Sequence, residues 1–164
     1  MVDMFSVSNV QRFWTKVIRQ PGERGHWFWV GAIADDGYGR FSINHDGITD
    51  AVRPHRYSYA LANELDLTDF GQLMHICDIP LCVRASQDEL THLVVGDVRE
   101  NMRDRQLKRR DENGSGFKWS GLPRENFARM SRALRAELLE HGISRPEILS
   151  ALTAGNDPLA PTLF

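Results

Sequence analysis

The sequence predicts an α+β fold containing an antiparallel β meander, on three observations. Apolar residues recur at helical spacing near the N-terminus and again beyond Pro123. Between Trp27 and Arg53, aromatic and β-branched runs alternate with Asp-Gly turns. From Gln72 to Val95, two short apolar runs enclose a loop that holds the only two cysteines. A chain of 164 residues suffices for one domain, or one domain with an appendage, and for a substantial core.

The first helix is expected from Ser8 to Arg19, where Val10, Phe13, Trp14, Val17 and Ile18 share a face and Pro21-Gly22 stops the run. Trp27-Phe28-Trp29-Val30 favours β structure, and the Asp36-Gly37 turn separates it from Tyr38–Asn44. Asp46-Gly47 marks a second turn before Ile48–Arg53, completing a three-stranded meander. Pro54 suits the first turn of a helix through Tyr57, Tyr59, Ala60, Leu61 and Leu65, because a helix start leaves that N–H unbonded anyway. Gln72–Ile76 and Thr91–Val95 read as partner strands. Gly96-Asp97 then supplies a turn and N-cap for a helix from about Val98 to Arg109. A linker spans 111–122, opening with Asp111-Glu-Asn-Gly-Ser-Gly116. The long helix after Pro123 carries Phe127, Met130, Leu134, Leu138 and Leu139 on one stripe and ends at His141-Gly142. Ile143 to Ala154 reads as a further short helix.

Hydrophobic residues make up 41% and charged residues 26%, ordinary for a soluble globular chain. No run approaches the roughly 18 apolar residues of a membrane span, and no basic-then-apolar leader opens the sequence. The expectation is therefore no membrane partner and cytoplasmic residence. The net charge of −2 conceals a segregation. Residues 60–98 carry one Arg against seven acids, a net of −6, and residues 99–135 carry eleven Lys or Arg against five acids, a net of +6. Phosphate affinity depends on such local clustering more than on the total, although a solvated charged helix gives the same pattern.

Two cysteines do not make a disulfide framework, and in a reducing compartment a close pair points to metal binding, catalysis or free thiols. Cys77 and Cys82 lie within reach of one ion, and His92 follows at the start of the returning strand. A closed tetrahedral zinc site needs a fourth ligand, which leaves His26, His45, His55 and His75. On spacing alone, buried free thiols and a hydrogen-bonded core histidine remain an alternative.

The ordered residues His75-Ile-Cys77-Asp78-Ile-Pro80-Leu-Cys82, His92-Leu-Val-Val-Gly96 and Asn101 resemble the core of the HNH or His-Me finger (ββα-metal) endonucleases. The closest likeness is to the zinc-bearing phage-type HNH and His-Cys box homing enzymes. Upstream, His26-Trp-Phe-Trp-Val-Gly31, Asp36-Gly-Tyr-Gly-Arg-Phe41 and Pro54-His-Arg56 occur in that family's order, so the resemblance covers about residues 23–110. It implies a nuclease domain over 1–110 with a ββα-metal core stabilised by zinc. Residues 123–164 then form a helical extension, serving dimerisation or a helix-turn-helix-like role.

By the same resemblance, His75 is the general base that activates water, and Asn101 binds a catalytic Mg²⁺ or Mn²⁺. Cys77, Cys82 and His92 are structural zinc ligands, and His26 stands where relatives have the cysteine that completes the set. The implied activity is metal-dependent hydrolysis of double-stranded DNA, of homing, restriction or phage type, by a homodimer in a bacterial or phage-infected cytoplasm, or in a eukaryotic nucleus. Arg40 is a candidate DNA contact, and Arg53 and Arg56 are candidates for the scissile phosphate. Arg99, Arg103, Arg105, Lys108, Arg109 and Arg110 would follow the DNA backbone, making binding salt-dependent.

The chemistry suits the residues. An imidazole with an ordinary pKa near ~6.5 accepts a proton at neutral pH, and a hard cation takes oxygen ligands such as an Asn side chain. The sequence departs from the family pattern at Met74, Ile79 and Val83-Arg84-Ala85, and Ser86–Leu90 reads as an insertion. Those departures keep a catalytically inactive, zinc-stabilised DNA-binding protein as the alternative.

Overall fold

The computed structural model describes residues 4–96 and 124–144, with side chains from 128 to 143 in the second segment. Asn101, the cationic residues from Arg99 to Arg110, the helix expected over 98–109, the 111–122 linker and the helix expected beyond Ser144 lie outside the described residues.

Ser6 caps the first helix, α1 (Val7–Trp14), its hydroxyl accepting from the Asn9 amide at 3.3 Å. The helix stops at Thr15, short of the expected Arg19. Val17–Arg19 instead forms β1, antiparallel to β2 (Trp27–Trp29), with Val17 opposite Trp29. The spacing of Val17 and Ile18 fits either element. Their β-branched side chains and an aromatic partner strand favour the strand.

That pairing also corrects the meander. β2 bonds to β1, and the hairpin's third strand is the two-residue β3 (Ala32–Ile33), which pairs with β4 (Gly39–His45). β4 pairs in turn with β5 (Ile48–Val52) through the Asp46-Gly47 turn, whose residues have φ of 49° and 77° as a type I′ turn requires. Between β2 and β3 the chain bends at Gly31. A side chain at Gly31 or Gly39 would run into the Trp29 indole, whose Nε1 donates to the Ala32 carbonyl at 2.9 Å.

α2 (Pro54–Asn63) starts at its proline and ends at Glu64, which is left-handed at φ 56°. β6 (Gln72–His75) and β7 (Leu93–Gly96) pair antiparallel with His75 opposite Leu93, so the chain is mixed α+β with antiparallel sheets throughout the described residues. α3 (Arg124–His141) ends as expected at Gly142, with φ 63°, and a 3₁₀ turn follows over Gly142–Ser144.

β2 has a core on each face, which accounts for its unbroken aromatic run. Trp29 joins Phe13, Phe41, Ile43, Tyr57 and Val83 on one side, while Phe28 joins Val30, Ile79, Cys82 and Leu138 on the other. Leu138 brings α3 onto the second core, and Arg135 anchors that helix by donating from Nε to the Val30 and Gly31 carbonyls. Ile79 is 1% exposed and plugs this core.

Candidate metal centre and adjoining histidine

Backbone pairing assembles the cluster. Residues 81–83 run beside β2, Trp29 N donating to the Leu81 carbonyl and Val83 N to the Trp27 carbonyl, each at 2.7 Å. Phe28 thus faces Cys82, which seats the thiol near His26 at the start of the strand. One step beyond β6, Ile76 N donates to the His92 carbonyl at 3.0 Å, setting His92 beside the Cys77 end of the loop. The loop itself reverses at Asp78, which is left-handed at φ 60°, and closes with Cys82 N donating to the Ile79 carbonyl at 3.0 Å.

The result is a quartet. One ligand atom from each of His26, Cys77, Cys82 and His92 lies within 4.8 Å of the other three. Tetrahedral zinc, with bonds of about 2.0–2.1 Å to nitrogen and about 2.3 Å to sulfur, sets ligand–ligand edges of roughly 3.3–3.8 Å. Cys82 Sγ and His92 Nδ1 already stand 3.4 Å apart, and the other edges, none beyond 4.8 Å, need to shorten by at most about 1–1.5 Å to match. His26 Nδ1 is buried without a hydrogen-bond partner, a lone pair that a cation would satisfy. No disulfide joins the cysteines.

The electrostatics agree with the donor set. Burial alone would raise the Cys82 thiol, but Cys77, His26 and His92 around it outweigh burial and bring it well below the ordinary range. Cys77 moves the other way, raised first by its hydrogen bond with Cys82 and then by burial. Two thiolates, two neutral imidazoles and one Zn²⁺ make a neutral unit suited to this buried position. The residues fit a structural zinc.

The sequence expectation of His26 as fourth ligand therefore agrees with the geometry. His45 lies elsewhere, 2.7 Å from Asp50 across the β4–β5 hairpin, and His55 and His75 are not in the quartet. His92 is in the quartet although the segment Ser86–Leu90 precedes it. That segment folds on itself through Asp88, which accepts from Ser86 Oγ at 2.6 Å and Leu90 N at 3.0 Å, and Gln87 ties it to α2 at the Ala62 carbonyl.

His75 adjoins the quartet at the end of β6. Its Nε2 lies 3.0 Å from the Cys82 carbonyl oxygen. A carbonyl only accepts, so Nε2 carries the proton and the neutral ring's lone pair sits on Nδ1. Burial lowers the pKa of His75, partly offset by the charge and the carbonyl of Cys82. The ring of His55, 8% exposed, stands edge-on at 4.9 Å, and Tyr38 lies 6.1 Å from His75 and 5.5 Å from His55. Burial lowers His55 well below the ordinary range, with His75, Arg53 and Arg56 adding to the effect. Both imidazoles are neutral at neutral pH.

The candidate phosphate ligands divide. Arg40 is exposed on β4 and lines a hollow of about 240 Å³ with Ala34, Ala51, Val52 and Arg53. Arg53 is forked onto Asp36 at 2.6 and 3.1 Å, beside the Tyr38 ring. Arg56 donates to the Gly71, Leu67 and Phe70 carbonyls at 2.6–3.1 Å, holding the chain after α2. Sequence reasoning did not place three residues here. Tyr38 stood inside a quoted motif without a role, His55 was weighed only as a fourth zinc ligand, and Arg84 registered only as a departure from the pattern of the resemblance. Its partners are distant carbonyls that no local pattern announces.

Comparison with protein-family models, with curated proteins and with solved structures finds no match to this chain. Among the described residues no helix is long and apolar enough to cross a membrane.

Proposed function

We propose that this chain is a metal-dependent DNA endonuclease of the HNH or His-Me finger type, with a structural zinc at His26, Cys77, Cys82 and His92. One observation supports the reading above the others. The histidine that the motif order designates as general base is bonded through Nε2 to the backbone of a cysteine in the quartet, leaving Nδ1 to accept a proton.

In this reading, His75 takes a proton from water as the water attacks phosphorus in line with the leaving 3′-oxygen, a contribution of about 10²–10⁴-fold. A divalent cation at Asn101 would supply charge stabilisation to the phosphate and the leaving oxygen. The zinc quartet does no chemistry. It would reinforce the seating of the Cys82 carbonyl in the loop between β6 and β7, and so of the His75 ring. Arg40 and the cationic run from Arg99 to Arg110 would carry the DNA backbone.

Zinc-loaded protein incubated with supercoiled plasmid and Mg²⁺ or Mn²⁺ should give nicked or linear product, lost in His75→Ala and Asn101→Ala. Wild-type protein that shifts DNA mobility but leaves plasmid supercoiled with every divalent ion tried would instead support the inactive DNA-binding alternative.

A further inference from the structure

Arg84 is 7% exposed, and its bonded partners are carbonyl oxygens rather than a carboxylate. Nε donates to Leu90 at 2.8 Å, one terminal nitrogen to Gly25 at 2.6 Å, and the other to Glu23. The guanidinium also lies 5.5 Å from the centre of the Trp27 ring. These partners are not scattered. Gly25 immediately precedes His26, Leu90 lies two residues before His92, and Arg84 itself lies two residues after Cys82. The main chain repeats the link, since the Arg84 carbonyl accepts from His92 N at 3.0 Å.

We infer that Arg84 is the positioning residue of the zinc site, clamping the segments that bear Cys82, His26 and His92 into ligating distance. The inference rests on the zinc reading above. The physical need is clear. His26 arrives from the loop between β1 and β2 and His92 from the end of the loop between β6 and β7, segments distant in sequence that the Arg84 bonds bridge. A planar fork whose donors are spread over three nitrogens in fixed directions reaches three carbonyls on separate segments, a span that the compact donors of an ammonium do not match. Groups outside the ligand set that orient it commonly hold about 10–100-fold of metal affinity.

The test is zinc affinity, measured by competition with a chromophoric chelator, on wild type, Arg84→Met and Arg84→Lys. Thermal unfolding of the zinc-stripped proteins and cobalt(II) absorption spectra accompany it. The expected result is about one zinc per chain in all three. Affinity should fall about 10–100-fold in Arg84→Met and by less in Arg84→Lys. The cobalt ligand-field bands should shift or broaden, because the ligands are held less tightly. Affinities equal to wild type within about twofold, with only the stripped protein's melting temperature lowered, would show a general packing role and overturn the inference. If Arg84→Met does not fold, Arg84→Lys decides it by the same criterion. Wild type that takes up no zinc sinks the metal reading itself, a result distinct from zinc bound equally well by the variants.

Discussion

His75 bonds through Nε2 to the carbonyl oxygen of Cys82 at 3.0 Å, and the Cys82 side chain is one corner of the metal quartet. The candidate base and the candidate zinc site are thus joined by a single residue, main chain to one and sulfur to the other. Disturbing the metal should disturb the base. Cys77→Ser, which removes a sulfur but no atom bonded to His75, should lose zinc by elemental analysis and lower plasmid nicking at least about 10-fold. Full activity in a zinc-free variant would separate the two sites.

Acid should destabilise the fold through His55. Its pKa is held well below the ordinary value, chiefly by burial, so the unfolded chain binds a proton there that the folded chain does not. Well above the ordinary value of about 6.5 both states are neutral and the group contributes no pH dependence. As the pH falls from there toward the folded value, the unfolded state gains the proton first and stability declines. Zinc-loaded His55→Phe should show a shallower loss of melting temperature over that window. An unchanged slope would place the acid sensitivity elsewhere.

Asn9 is a buried clasp between α1 and β4. At 1% exposure it donates to the Asn44 carbonyl at 2.8 Å and accepts from the Asn44 amide at 3.2 Å and from Arg12 at 3.0 Å. Asn9→Leu keeps the volume and strands the Asn44 backbone groups, at about 1–3 kcal/mol each. Chemical denaturation should register that loss, and a change below about 0.5 kcal/mol would mean that water replaces the clasp.

Arg40 and Arg56 should behave differently when removed. Arg40 is exposed, whereas both terminal nitrogens of Arg56 hold carbonyls. Arg40→Ala should weaken DNA binding and reduce the salt dependence by about one counterion, with stability unchanged. Arg56→Ala should cost about 1–3 kcal/mol of stability through stranded acceptors. Titrations against salt, beside melting curves, separate the two. The reverse pattern would exchange their roles.

The metal quartet was legible because thiols and imidazoles are few. With two cysteines and six histidines, the motif order of the resemblance sufficed to single out His26 from across the chain. The turns were legible for a similar reason, since Asp46-Gly47 and Gly142 meet backbone requirements few other residues meet cheaply. The register of the N-terminal elements was not legible. Val17 and Ile18 continue a helical stripe, and only Trp27–Trp29 arriving from across a loop makes them a strand. Arg84 was hidden for the same reason, its meaning residing in Glu23, Gly25 and Leu90 rather than in its neighbours.

The most direct test of the central claim is single-turnover cleavage of supercoiled plasmid by zinc-loaded protein with Mg²⁺ or Mn²⁺. Wild type is compared with His75→Gly, with and without added imidazole. Cleavage should fall about 10²–10⁴-fold in the variant and recover in part when imidazole fills the vacated space. Wild-type protein inert toward DNA, or a variant as fast as wild type without imidazole, would contradict the claim that His75 is the base of a nuclease.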